Sequence, residues 1–154
     1  MCYMKRSSRL SVALHVLVHL AERAGERAGE RAGEPATSEH LAACVGTNAV
    51  VVRRTLAGLR EAGLVASTPG HGGGWVLARD AAAVTMRDVY AALGERLLLA
   101  IDVAGQRADC RIERAVAGTL DEFLEDAEAL LAARLGRITL VDLAARGGPR
   151  PAGA

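Results

Sequence analysis

Between residues 37 and 77 the hydrophobic pattern passes from helical period to strand period. In the run TNAVVVRRTLAGLREAGLV, Val52, Leu56 and Leu59 fall at i, i+4 and i+7, the apolar stripe of one helix, and the stripe leaves Val50, Arg53 and Arg54 free. Thr47 or Asn48 can cap that helix by accepting a hydrogen bond from its first unpaired N–H groups. Gly63 ends it in a backbone conformation that other residues enter only at a cost. Ahead of it, Thr37 or Ser38 can cap a short helix holding Leu41, Ala42 and Val45, with Gly46 as the turn between the two. After Gly63, Leu64 and Val65 begin a strand, and Trp75, Val76 and Leu77 form its partner across a loop of Pro69, Gly70, Gly72, Gly73 and Gly74. Two helices about a glycine turn, then a glycine-rich hairpin, is the order of a winged helix-turn-helix. The pattern therefore predicts a DNA-binding unit whose second helix is shaped for a major groove.

The loop of the hairpin is the wing. Its bare backbone can approach phosphates or enter a minor groove, with Gly72 among the candidate contacts, and His71 adds a donor. A nucleotide-phosphate loop is the competing reading. It fails on context, because no Lys-Ser or Lys-Thr follows the glycines, which lead into a strand.

Upstream, Leu10, Leu14, Leu17, Val18 and Ala21 describe a buried helical face that Ser7 or Ser8 can cap, and Arg6 and Arg9 near its start are candidate phosphate contacts. His15 and His19 stand one turn apart, the spacing of a metal pair, but no Cys, Asp or Glu completes a site nearby in sequence. Ordinary packing is the favoured reading. Glu-Arg-Ala-Gly then recurs three times from Glu22 to Gly33. A glycine every fourth residue costs about 0.8–1 kcal/mol each against alanine, so an expanded loop or frayed helical tail is expected. Its length should be free to vary without loss of function.

Past the wing, Val84, Met86, Val89, Tyr90 and Leu93 predict a short helix capped by Thr85, and Leu97–Val103 an apolar connector. A long helix follows from about Asp109 to Leu135, with Val116, Leu120, Phe123, Ala127 and Leu130 in 4-3-4-3 spacing. A small domain has little core left to receive that stripe, so a second copy of the chain is its expected partner. Packing back onto its own domain is the competing reading. A dimer would set two recognition helices on successive major-groove faces and predict a near-palindromic operator.

Composition narrows the class. A chain of 154 residues with 51% hydrophobic content suits one core plus an appended element. No apolar run reaches the about 18 residues of a membrane span, and MCYMKRSSRL lacks the arrangement of a signal peptide, so a cytoplasmic protein without membrane association is expected. Net charge is +1, yet residues 1–79 hold 10 basic and 6 acidic side chains against 9 and 12 in 80–154, which places the positive excess with the DNA reader. No paired carboxylates, nucleophile motif or metal set suggests an enzyme.

With those residues in view, the chain resembles the Rrf-two family of bacterial winged-helix transcription regulators over roughly residues 5 to 140. The matches that carry this are TNAVVVRRTLAGLREAGLV, the wing GHGGGWVLAR, and VTMRDVYAALGE beyond it. The resemblance implies that residues at the positions of Asn48, Val50, Arg53 and Arg54 read DNA, that the wing flanks them, and that the long carboxyl-terminal helix builds a homodimer. Pro69 departs from the pattern, standing where many members carry an arginine beside the wing glycines.

Cluster-binding members present three closely spaced cysteines after the wing; here that region holds Cys110 alone, with Cys44 in the first helix of the pair and Cys2 at the terminus. No iron–sulfur cluster or other cofactor is expected, and the runs TNAVVVRRTLAGLREAGLV and VTMRDVYAALGE also resemble the branch of the family that carries no cluster. Cys110 near a helix start is the candidate redox sensor, although a merely incidental cysteine is the commoner case.

The expected architecture is mainly α with a small β-wing. A winged helix-turn-helix domain spans 1–95 with a low-complexity loop at 22–34, a connector and dimerisation helix span 96–145, and a disordered tail spans 146–154. The expected function is a homodimeric transcriptional regulator, a repressor on double-stranded DNA, with room for a small-molecule or redox effector. The alternative is a winged-helix assembly module with no specific DNA affinity.

Overall fold

Caps and glycines set the boundaries of the elements, and the computed structural model describes residues 9–25, 34–94 and 110–148. Helix α1 spans Arg9–Gly25, α2 Ser38–Val45 and α3 Ala49–Glu61. Of the alternative caps, Thr37 serves α2, its hydroxyl accepting from the His40 N–H at 3.1 Å, and Asn48 serves α3, its Oδ1 accepting from the Val51 N–H at 2.9 Å. Gly46 turns the chain between them at φ 72°. At the far end of α3, Leu64 N–H bonds Leu59 C=O at 2.9 Å and Gly63 N–H bonds Arg60 C=O at 2.9 Å, with Gly63 at φ 72°. That Schellman pair buries Leu59 and Leu64 together and turns the chain into the hairpin.

Strands β1 (Val65–Thr68) and β2 (Gly74–Leu77) pair antiparallel, Val65 opposite Leu77 and Thr68 opposite Gly74. Helix α4 (Met86–Leu93) follows, then α5 (Arg111–Leu135) and α6 (Leu140–Arg146). The fold is mainly helical with a two-stranded wing, as the pattern predicts.

Helix α1 is the centre of the core and packs against α2, α3, α4, α6 and β2. Being wrapped on several sides, it buries a different and wider arc than the expected stripe: Leu10, Val12, Ala13, Val16, Leu17 and Leu20 are buried, whereas Leu14, Val18 and Ala21 are only half-buried. The first Glu-Arg-Ala-Gly copy, Glu22–Gly25, is the last turn of α1 and not part of a loop, and the Arg23 side chain reaches the Glu34 carbonyl at 3.4 Å. The rest of the repeat, the Leu97–Val103 connector, Ser7, Ser8 and residues 149–154 lie outside the described residues.

Nothing in the hydrophobic pattern announces α6. Thr85 and Thr139 cap α4 and α6 with matching capping boxes to Asp88 and Asp142, and the two caps pair as an antiparallel bridge. Met86 N–H bonds Ile138 C=O at 2.8 Å, and Leu140 N–H bonds Val84 C=O at 3.0 Å. The bridge delivers Leu140 into the core, fully buried, so the chain returns after α5 to the domain it left. Among the described residues no helix is long and apolar enough to cross a membrane.

Candidate nucleic-acid interface

Burial of Val52, Thr55, Leu56 and Leu59 fixes the rotation of α3 about its axis and turns Val50, Arg53 and Arg54 outward; Val50 is 62% exposed. An apolar side chain this exposed on a capped helix matches the chemistry of a thymine methyl, and arginines match guanine edges or phosphates. Asn48 is exposed, but its carbonyl oxygen holds the helix start, which leaves only its amide N–H groups for any ligand. Thr47 is half-buried before it. Arg53 is not free, as its place outside the stripe suggested: its guanidinium donates to the Glu39 carboxylate on α2.

Arg9, at the start of α1, joins Asn48, Val50, Val51, Arg54 and Thr55 around an open depression of about 350 Å³. Two arginines distant in sequence thus share one concavity beside the amino end of α3, where the helix dipole is positive. Arg6 lies outside the described residues.

At the wing, His71 and Gly72 are exposed on a tight turn closed by Gly73 N–H to Gly70 C=O at 3.0 Å, with Gly70 and Gly72 at positive φ. The wing is tied to the helix pair. Ala36 and Trp75 exchange backbone hydrogen bonds at 3.0 and 2.9 Å, and Trp75 Nε1 donates to Ser38 Oγ at 3.1 Å. Gly74 permits this approach, since a Cβ there would lie 2.6 Å from the Ala36 carbonyl oxygen. Sequence reasoning assigned Trp75 only to a strand and Ser38 only to a cap. The available signal was a glycine inside a strand, which marks a close backbone approach.

Helix α5 buries only Leu135. Of the 4-3-4-3 stripe, Val116, Phe123 and Leu130 are exposed, the last two at 62% and 75%, while Leu120 and Ala127 are half-buried. Ile112 extends the same apolar face, and with Ala115, Val116, Thr119 and Leu120 it lines an open groove of about 510 Å³.

The two described cysteines stand on different elements. Cys110 is exposed at the residue preceding α5 and makes no side-chain cap, Cys44 is exposed on α2 with Sγ 3.7 Å from His40 Nε2, and Cys2 lies outside the described residues. The rings of His15 and His19 stack at 5.0 Å, and Glu22, three residues on, corrects the expectation that no carboxylate lies near them, its Oε2 standing 3.9 Å from His19 Nδ1. Among the described residues no three His, Cys, Asp or Glu side chains gather as a metal site. An iron–sulfur cluster needs several thiolates in one place, and the described residues bring no such set together.

Asp88 and Asp142 both titrate below the usual carboxylate range. In each the largest cause is the hydrogen bond donated by the backbone N–H of the capping threonine, with the threonine hydroxyl adding to it. At Asp88 partial burial opposes the shift.

Comparison with known proteins adds the family. Residues 6–146 match the model of the Rrf2 family, described as an iron-dependent transcriptional regulator. The chain is 28% identical over 137 residues to YwnA of Bacillus subtilis, described as an HTH-type transcriptional regulator, covering 89% of this chain and 95% of that protein. Among solved structures, it is similar to a transcriptional regulator from Lactobacillus plantarum, with TM-score 0.71 and 25% identity over 89% of this chain and 87% of that one. It is also similar to CymR, the global cysteine regulator of B. subtilis, with TM-score 0.56 and 26% identity over 93% and 98% of the two chains.

Proposed function

Because the chain belongs to the Rrf2 family of transcriptional regulators, we propose that it is a homodimeric, sequence-specific repressor in the cytoplasm that occupies a near-palindromic operator. The observation that carries this reading is the outward face of α3, with Val50, Arg53 and Arg54 displayed beside a wing anchored to the same helix pair. Inserted in a major groove, α3 sets Val50 against base edges and its arginines against base edges or phosphates. Asn48 offers its amide donors, Arg9 approaches the flanking phosphates, and His71 and Gly72 track the backbone or minor groove.

The exposed apolar face of α5 supports dimerisation, because a stripe of that size left in water favours a self-complementary partner. Two linked readers on one duplex then bind far more tightly than either alone. A dimer seated over an operator blocks access to it, which favours repression.

With Cys44 and Cys110 on different elements, the regulator works without a bound cluster, and its signal is a small molecule or an oxidant. Cys110 is the candidate for the latter. Its thiolate sulfur would attack one oxygen of hydrogen peroxide, hydroxide would leave, and a sulfenic acid would remain at the start of α5. Peroxide should then alter DNA binding by the native protein but not by Cys110→Ser, and equal responses would remove the sensor.

The test of the main reading is binding of the reduced protein to its own upstream DNA across a salt series, with a scrambled duplex as control. Tight, salt-steep binding confined to the upstream duplex, with protection the size of a dimer, is expected. Equal weak binding to every upstream segment and to the scrambled duplex would reject sequence-specific regulation.

A further inference from the structure

The two adjacent arginines of α3 are held differently. Arg53 donates to Glu39, in the first turn of α2, whereas Arg54 has no ion-pair partner among the described residues and faces the depression it shares with Arg9. The Arg53 and Glu39 side chains are 56% and 63% exposed, too open for the pair to contribute much to folding. Its placement across the two helices of the DNA-reading unit calls for another role.

We propose that Glu39 is a positioning residue for DNA specificity, holding the Arg53 guanidinium for a base edge and keeping it from the phosphate backbone. This rests on α3 being the DNA reader. A guanidinium is a rigid fork of five donors, so a carboxylate on one edge leaves another free for a guanine O6/N7 pair and removes the rotamers that would swing the charge elsewhere. The carboxylate also repels phosphates, which weakens binding to every duplex, and only a duplex that offers Arg53 its base edge recovers the loss, so the ratio of specific to non-specific affinity rises. Arg54, without such a restraint, is left for the backbone contact. The two arginines therefore divide the work, Arg53 for sequence and Arg54 with Arg9 for phosphate.

The experiment is selection from a duplex library randomised over its core, with the bound fraction sequenced for wild type, Glu39→Ala, Arg53→Ala and the double variant. Arg53→Ala identifies the base pair that Arg53 reads. At that pair Glu39→Ala should lose about tenfold in preference. The other positions should keep theirs, affinity for a scrambled duplex should rise, and the double variant should match Arg53→Ala in its preference at that pair. An unchanged preference at that pair, or a uniform loss across all pairs, overturns the role of Glu39 while leaving the DNA reader standing. A wild type that enriches no sequence overturns the reader itself. Because Glu39 is exposed, urea midpoints should stay together across the variants, and a shifted midpoint with uniform loss would assign Glu39 to folding instead.

Discussion

Gly74→Ala tests whether the wing is a fixed part of the DNA-reading unit. A Cβ at Gly74 would meet three backbone atoms of Ala36, the carbonyl oxygen at 2.6 Å, its carbon at 2.7 Å and the nitrogen at 3.1 Å. None belongs to a side chain that can turn aside. The chain has two responses. It can keep the Ala36–Trp75 bridge and accept overpacking, which costs about 1–3 kcal/mol. Or it can let β2 retreat and lose two backbone hydrogen bonds, each worth about 0.5–1.5 kcal/mol net. These are alternatives, so the loss should be about 1–3 kcal/mol, a fall of roughly 1 M in the urea midpoint at ordinary slopes. Trp75 is the only tryptophan and lies at the perturbed bridge, so its fluorescence follows both unfolding and local release of the wing. Gly118→Ala is the control of opposite sign. Gly118 lies within α5 with nothing near its Cβ position and faces away from the apolar stripe, so alanine should stabilise by about 0.8–1 kcal/mol. A Gly74→Ala protein with the wild-type midpoint and wild-type tryptophan emission would refute the latch.

Phe123→Asp should leave the monomer folded but place an unpaired charge in the proposed α5 interface, so that sedimentation finds monomers and operator affinity drops; persistent dimers would remove that interface. Leu140→Ala empties a fully buried position supplied by α6 and should destabilise by about 2–5 kcal/mol, whereas a loss below about 1 kcal/mol would mean that α6 is dispensable to the core. The Asp88 carboxyl titrates lower when folded than when unfolded, so its contribution is complete above the unfolded carboxylate range, about pH 4, and is lost as pH falls through the folded value. Asp88→Asn should flatten that part of the acid-unfolding curve, and an unaltered curve would place the acid sensitivity elsewhere.

Local chemistry was enough to read the helix pair, the wing and both glycine-ended helices from the sequence alone. Asn48, Gly46 and Gly63 act on their immediate chain neighbours, and the Val52, Leu56, Leu59 stripe sets the rotation of α3 whatever it packs against. The apolar face of α5 was legible for the same reason. Tertiary structure alone decided what depends on elements distant in the chain. Helix α1 buries a wider arc than a surface stripe because five elements surround it, and no single period encodes a helix covered on several sides. Helix α6 is too short to show a periodic signal, and the bridge from Thr139 to Thr85 is what brings Leu140 home. The Glu39–Arg53 pair and the Ser38–Trp75 bond link residues 14 and 37 positions apart. Side-chain type says that such groups can bond, but only the packing of the backbone says which of them meet.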